Sequence, residues 1–209
     1  MNVFISGGTG YLGCALVPRL LERGHTVRAL ARPGSMKKLP PGTAVTGDAL
    51  DSSTFRSSVS GMDTFIHLVG TPKPAPWKGK QFRAVDLVSL KHSLAAAMGA
   101  RVQHFIYVSV AQPAPVMRAY IEVRRECEAC LERSGIPATI LRPWYVPGPG
   151  HWWPLVLEPF YWIAEQFGSA AAQRLGLVTH RQMVNALLWA VEHPGAGILD
   201  VPAIRRFGV

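Results

Sequence analysis

Seven residues near the start of the chain, Gly7-Gly8-Thr9-Gly10-Tyr11-Leu12-Gly13, constrain it more than any other stretch of its 209 residues. They follow a short apolar run, 2–6, and lead into residues 11–23, where apolar side chains recur with a helical period. A glycine-rich turn between a buried strand and a helix has a definite physical use. The first glycines permit a tight turn, Gly10 lets the main chain come close to a bound group, and Gly13 lets the helix pack closely. Behind the turn, the helix start offers N–H groups with no intrahelical partner and the positive end of the helix dipole, which together suit a phosphate. In this context the spacing Gly8-x-Gly10-x-x-Gly13 reads as a dinucleotide loop; a glycine-rich turn without ligand is the alternative.

The rest of the chain alternates between the two periods. Strands are expected at 25–31, 44–46, 64–69, 102–108 and 138–141. Helices are expected at 11–23, despite Pro18, then from the N-cap Asp51, at 80–98 and at 117–134, with Gly24 and Gly135 as stops. Residues 71–79 and 111–116 are proline-rich loops. Strand–helix alternation predicts an α/β fold: a Rossmann-type doubly wound parallel sheet with helices on both faces and the ligand beyond the carboxyl ends of the strands. After Arg142 the character changes to Pro, Gly and Trp. An aromatic helix-like stretch (155–167), a short strand near 175–178, a helix (180–192) and a last strand near 198–201 follow. Residues 1–142 are therefore expected to form the binding core. Residues 143–209 would form a small substrate-side cap packed on it, within one domain overall.

With 48% hydrophobic and 17% charged residues, the chain can bury a large core. The net charge of +9 favours anionic partners. The cations are scattered, with one loose cluster at Lys73, Lys78, Lys80 and Arg83, so a nucleotide fits the charge better than a nucleic acid. Three cysteines, Cys14, Cys127 and Cys130, do not make a disulfide framework. The cytoplasm is the expected location, with no leader segment ahead of the first strand and no apolar run of the roughly 20 residues that a membrane helix needs.

The end of the second strand carries information about the cofactor. A ribose-binding acid is wanted about 20 residues after the glycine loop when the ligand is NAD(H). No acid occurs between Glu22 and Asp48. Arg28 and Arg32 stand there instead, and Arg32 is placed to pair with a 2′-phosphate. NADP(H) is the expected cofactor and NAD(H) the less favoured one; a solvated Arg32 is the alternative.

These motifs, with Thr46-Gly47-Asp48, IHLVG (66–70), YVSV (107–110), Tyr120 to Glu128 and ILRPWYVPGPG (140–150), resemble the atypical and extended short-chain dehydrogenases/reductases. NmrA-like redox proteins, nucleoside-diphosphate-sugar epimerases and the accessory Rossmann subunit of respiratory complex I are the nearest groups in flavour. The resemblance implies that Asp48 approaches the adenine and that Leu68, Val69 and Gly70 line its ribose. It also implies that Ser109 sits beside the nicotinamide, that Tyr120 is the catalytic tyrosine, and that the segment from Pro143 to Val146 passes near the nicotinamide. The family pattern Tyr-x-x-x-Lys reads Tyr120-Ile-Glu-Val-Arg124 here. The i,i+4 spacing keeps both side chains on one helix face, but a guanidinium is bulkier than an ammonium and cannot give up a proton.

Two functions follow. In the first, an NADPH-dependent oxidoreductase or epimerase-like enzyme acts on a bulky apolar carbonyl or quinone, with Ser109, Tyr120 and Arg124 as catalytic residues. In the second, the chain is a non-catalytic NADP(H) redox sensor or assembly subunit. Cys127-Glu-Ala-Cys130 lies mid-helix on the apolar stripe and reads as core, as does Cys14. No histidine has metal-ligand spacing; His67 reads as a core histidine and His151 as a candidate pocket residue. The aromatic stretch 151–167 reads as a substrate lid or as core, with a peripheral membrane or protein contact as the further option.

Overall fold

The computed structural model describes residues 1–114, 116–147 and 175–208. Seven strands form one parallel sheet in the order β3-β2-β1-β4-β5-β6-β7. They are β1 Asn2–Ser6, β2 Thr26–Ala31, β3 Ala44–Thr46, β4 Thr64–His67, β5 His104–Val108, β6 Ala138–Leu141 and β7 Gly197–Leu199. Both faces of the central strands are covered, which is why β4 is buried at every position. Along β1 the side chains alternate. Val3 and Ile5 enter a core built with Leu16, Leu20, Leu187 and Val191, while Phe4 enters a second core with Leu90, Leu94, Val123 and Leu131. Phe4, Phe65 and Phe105 lie in register on adjacent strands, with ring centroids 5.0 and 5.1 Å apart.

Among the described residues the main helices are α1 Gly13–Glu22, α2 Val88–Gly99, α3 Arg118–Arg133, α4 His180–Glu192 and α5 Val201–Arg205. α1 runs through Pro18, because Leu16, Val17 and Leu20 bury on the sheet. Before α2 the expected helix begins with the single turn Gly79–Gln81, and Phe82–Leu87 is then wound as a π-helix. α4 matches its expected span and starts with a capping box between Thr179 and Gln182. Residues past Arg142 also supply the seventh strand of the sheet, β7, which pairs with β6.

Two expectations are corrected. Residues 175–178 form no strand: Tyr145 and Leu177 make one isolated bridge, and the segment buries its apolar side chains without a ladder. The last strand stops at Leu199, and α5 follows, capped by the Asp200 carboxylate on the Ala203 N–H with a proline in its first turn. The aromatic stretch 151–167 and His151 lie outside the described residues.

Candidate active site

Strand order reverses about β1. The chain moves outward through β2 and β3, then returns to β4 on the other side of β1. The crevice at this switch point lies beyond the carboxyl ends of β1 and β4, where Ser6 pairs with His67 and the Leu68 N–H donates to the Ser6 carbonyl at 2.9 Å. The loop Gly7 to Gly13 occupies that position.

Gly7 has φ +82°, and a Cβ there would stand 2.8 Å from the Leu68 carbonyl carbon, so β4 packs directly on the turn. A Cβ on Gly13 would lie 2.5 Å from the Gly8 oxygen and 2.6 Å from the Gly7 oxygen. Gly13 is thus needed for the first turn of α1 to close over the loop's own carbonyls, a different reason from the helix–sheet packing expected from sequence. Among the described residues, a Cβ at Gly10 would meet only the Gly7 oxygen, at 3.1 Å. Among the same residues, no side chain caps the start of α1. An open approach at Gly10 and an uncapped helix start are what a pyrophosphate requires. From beyond the sequence-predicted loop, His180 braces it: its Nε2 lies 3.0 Å from the Tyr11 carbonyl, and its ring is 4.5 Å from the Tyr11 ring. Tyr11 and Leu12 are half-buried and Thr9 is half-buried beside them.

At the adenosine end the two arginines part company. Arg28 is tied to the Ser58 carbonyl at 2.8 Å and the Ser60 carbonyl at 3.3 Å. Arg32, exposed, heads the 3-10 turn Pro33–Lys38 just after β2. Asp48 is exposed and its carboxylate accepts the Leu50 N–H at 3.0 Å, capping its own turn.

At the other end, the loop after β4, the π-helical turn, β5 and α3 converge on Arg124. Its Nη2 donates to Asp86 Oδ1 at 2.7 Å; its Nη1 donates to the Tyr107 hydroxyl and the Val108 carbonyl, both at 3.0 Å. Asp86 Oδ2 accepts from the Thr71 N–H at 3.0 Å and the Thr71 hydroxyl at 2.6 Å. The guanidinium carbon lies 5.0 Å from the Tyr120 ring centroid, so the i,i+4 pair does meet, and Tyr120 rests on Phe82 at 4.9 Å. Burial alone would favour discharging Arg124. The oxygens of Tyr107, Tyr120 and Asp86 outweigh it and hold the guanidinium charged. Its Nε–H is buried with no hydrogen-bond partner among the described residues. Burial pushes the Tyr120 phenol above its ordinary value; the Arg124 charge opposes that rise and the Asp86 charge adds to it.

Ser109 is not brought to Tyr120. At the end of β5 its hydroxyl donates to Glu128, which also accepts from Gln112 and from Arg142. Pro143 is buried and its carbonyl accepts the Ala111 N–H at 2.9 Å. A cavity of about 620 Å³ opens on this side of α3, lined by Gln112, Arg125, Glu128, Ile140, Arg142 and Ile198 among others, and Tyr120 is not among its walls. Leu68, Val69 and Gly70 are half-buried at the end of β4. Gly70 also makes room for the guanidinium, since a Cβ there would lie 2.6 Å from Arg124 Nη2.

The core readings of the remaining residues mostly hold. His67 is buried between Ser6 and Ser93 at 2.9 and 3.0 Å, and burial, with a smaller push from Arg124, lowers it to about 3. Cys127 is buried core, its thiol pushed up to about 11 by burial. Cys14 departs from expectation: it is half-buried on α1, because Leu16, Val17 and Leu20 take the inward positions. Asp86, Thr71, Glu128 and His180 went unnoticed in the sequence. The one signal was Asp86 itself, a single acid between Phe82 and Leu87 in an apolar stretch.

Among the described residues no helix is long and apolar enough to cross a membrane. A protein-family model described as NAD(P)H-binding matches residues 7–147. A 3-beta-hydroxysteroid dehydrogenase of Mycolicibacterium neoaurum is 32% identical over 116 residues, covering 52% of this chain and 31% of its own length. The chain thus spans about a third of that relative. A ceramide reductase of Caulobacter vibrioides is 28% identical over 215 aligned positions, covering 99% of this chain and 66% of the reductase. Among solved structures, the Bordetella bronchiseptica enzyme WbmH in complex with NAD+ superimposes with a TM-score of 0.72 at 22% identity, over 95% of this chain and 75% of that one. The family match begins on the glycine loop and ends with the segment after β6, about two thirds of the chain, and the chain belongs to the NAD(P)H-binding family, carried on a Rossmann-type parallel sheet.

Proposed function

We propose that the chain is an NADP(H)-dependent oxidoreductase that reduces a bulky, apolar carbonyl compound or quinone. The observation that carries this reading is the presence on one fold of the glycine loop and of Tyr120, whose half-buried phenol is biased by burial toward its protonated form. The dinucleotide would be held by the Gly7–Gly13 main chain and the start of α1, with Arg32 on a 2′-phosphate; bound there, it would supply a hydride to the carbonyl carbon. Tyr120 donates its proton to the carbonyl oxygen as the C=O π bond opens, leaving an alcohol and a phenolate that water reprotonates. Arg124 stabilises that phenolate. Two relatives are named for apolar substrates, a hydroxysteroid and a ceramide, which supports the substrate class.

A second reading, a redox sensor or assembly subunit that binds NADP(H) without turnover, is favoured by one observation: Arg124 and Ser109, the expected helpers of Tyr120, are both engaged by buried or half-buried carboxylates. Calorimetric titration with NADPH, NADP+, NADH and NAD+ tests the shared part. Tight NADPH with weak NADH is expected, and equal affinities remove the NADP(H) preference. NADPH-dependent reduction of phenanthrenequinone by wild type, lost in Tyr120→Phe, separates the enzyme from the sensor; a protein that binds NADPH yet leaves the quinone untouched points to the sensor.

A further inference from the structure

The Asp86–Arg124 pair belongs to no sheet ladder and to no part of the phosphate loop. Both side chains are buried, at 0% and 7% exposure. Apolar residues of similar volume often hold a core as well as a buried ion pair does, so the pair is weak evidence of a stabilising role. What it does locally is fix one guanidinium from three directions. Thr71 orients the Asp86 carboxylate, Asp86 takes Nη2, and Tyr107 with the Val108 carbonyl takes Nη1. Gly70 leaves the room, since any Cβ at that position would overlap Nη2. Asp86 itself sits in a π-helical turn, a winding that shifts the facing of side chains and recurs at functional sites. The fixed guanidinium then lies against the Tyr120 ring.

We propose that Asp86 is a positioning residue for Tyr120 and acts through Arg124. It seats the guanidinium against the phenol and offsets part of its charge there, so that the hydroxyl remains a proton donor while the guanidinium still faces the phenolate left after transfer. This rests on the reading of Tyr120 as the donor. Among the described residues, the titratable groups facing Tyr120 are Arg124 and Cys127 from α3, Asp86 from the π-helical turn and, across Arg124, Tyr107 from β5. Burial raises the Cys127 thiol and the Tyr107 phenol, so both are neutral at ordinary pH. Among the described residues, the two charges that set the Tyr120 environment are therefore those of Arg124 and Asp86.

The test needs no cofactor and no substrate. Tyrosine labelled with ¹³C at Cζ gives a signal for each of the five tyrosines, and Tyr120→Phe identifies the one that matters. In Asp86→Asn the guanidinium charge is no longer offset, and the Tyr120 titration midpoint is expected to fall by about one pH unit. In Asp86→Asn/Arg124→Met the fall should vanish. An unchanged midpoint in Asp86→Asn, or the same fall with and without Arg124, overturns the proposal. If far-ultraviolet circular dichroism shows Asp86→Asn unfolded, Gly70→Ala displaces the guanidinium without altering any charge. The Tyr107 and Tyr120 signals should then both move, together with the Tyr120 midpoint; unmoved signals overturn the proposal. Its failure is distinct from failure of the enzymatic reading: turnover retained in Tyr120→Phe defeats the latter, whatever the titrations show.

Discussion

The two ends of the crevice are built from different materials. The phosphate end is main chain from one contiguous stretch, Gly7 to Gly13, whose N–H groups and helix dipole need no particular side chains. The Tyr120 end is side chains, drawn from the loop after β4, the π-helical turn, β5 and α3, around two buried charges. A main-chain site fails only where a Cβ is added. A buried charged network is at risk from the loss of any member, because each deletion strands a partner in a medium of low polarity.

The largest expected effect lies at the charged end. Arg124→Met leaves the Asp86 carboxylate buried with only Thr71 for a partner, and urea denaturation should show a loss of about 3–5 kcal/mol. A loss under about 1 kcal/mol would mean that the network is not the rigid unit its geometry describes. At the main-chain end, Gly13→Ala drives a Cβ into two loop carbonyls, and a cost of about 3 kcal/mol is expected as the turn opens. NADPH affinity should fall with it. If Gly13→Ala keeps both stability and binding, the loop is softer than the contrast between the two ends requires.

The same contrast explains how much was legible in the sequence. The strands and main helices follow from local period, and the glycine loop from spacing within seven residues, so both could be read directly. Residues 175–178 misled because buried apolar side chains look alike in a strand and in an irregular segment. The start of α5 was legible in retrospect: Asp200 followed by a proline in the first turn is a helix-start signal, obscured by the β-branched Val201 and Ile204. Asp86 offered one signal, a single acid in an apolar stretch, but its role was not legible. Nothing near it announces Arg124, which lies 38 positions away, and a single acid in a helical pattern ordinarily points to water. The engagement of Ser109 by Glu128 was hidden for the same reason: it depends on how α3 is placed against β5.

Between the two ends, beneath the turn, His67 makes a prediction about pH. Folding lowers it from 6.5 to about 3, so below 6.5 the unfolded chain takes a proton that the folded chain refuses. The stabilisation is complete above that value and is lost progressively as pH falls toward 3. His104, lowered to about 4 by burial, acts in the same direction. Between about pH 7.5 and about pH 4.5 a loss of about 3 kcal/mol from His67 is expected in chemical denaturation. His67→Asn, which retains a polar atom near Ser6 and Ser93, should flatten that slope while lowering stability at neutral pH. A slope as steep in the variant as in the wild type would assign the acid sensitivity elsewhere.

The smallest effect belongs to the adenosine end, where main-chain and side-chain logic meet. Arg28 lies in β2 and Arg32 just after it, and the sequence points to Arg32 as the 2′-phosphate ligand; their surroundings differ as well. Arg28 gives its Nη1 donor to two carbonyls of the turn near Ser58, whereas Arg32 stands exposed at the end of β2 on an extended backbone. Under the NADP(H) proposal, Arg32→Ala should weaken NADPH about tenfold and leave NADH unchanged, the signature of one lost charge-assisted phosphate contact. Arg28→Ala should leave the ratio of the two affinities where it was. Titrating both variants with both dinucleotides decides the matter: a ratio that moves with Arg28 instead would mean that the turn at Ser58–Ser60 releases that arginine on binding, and a ratio that moves with neither would leave the 2′-phosphate without a ligand on this strand.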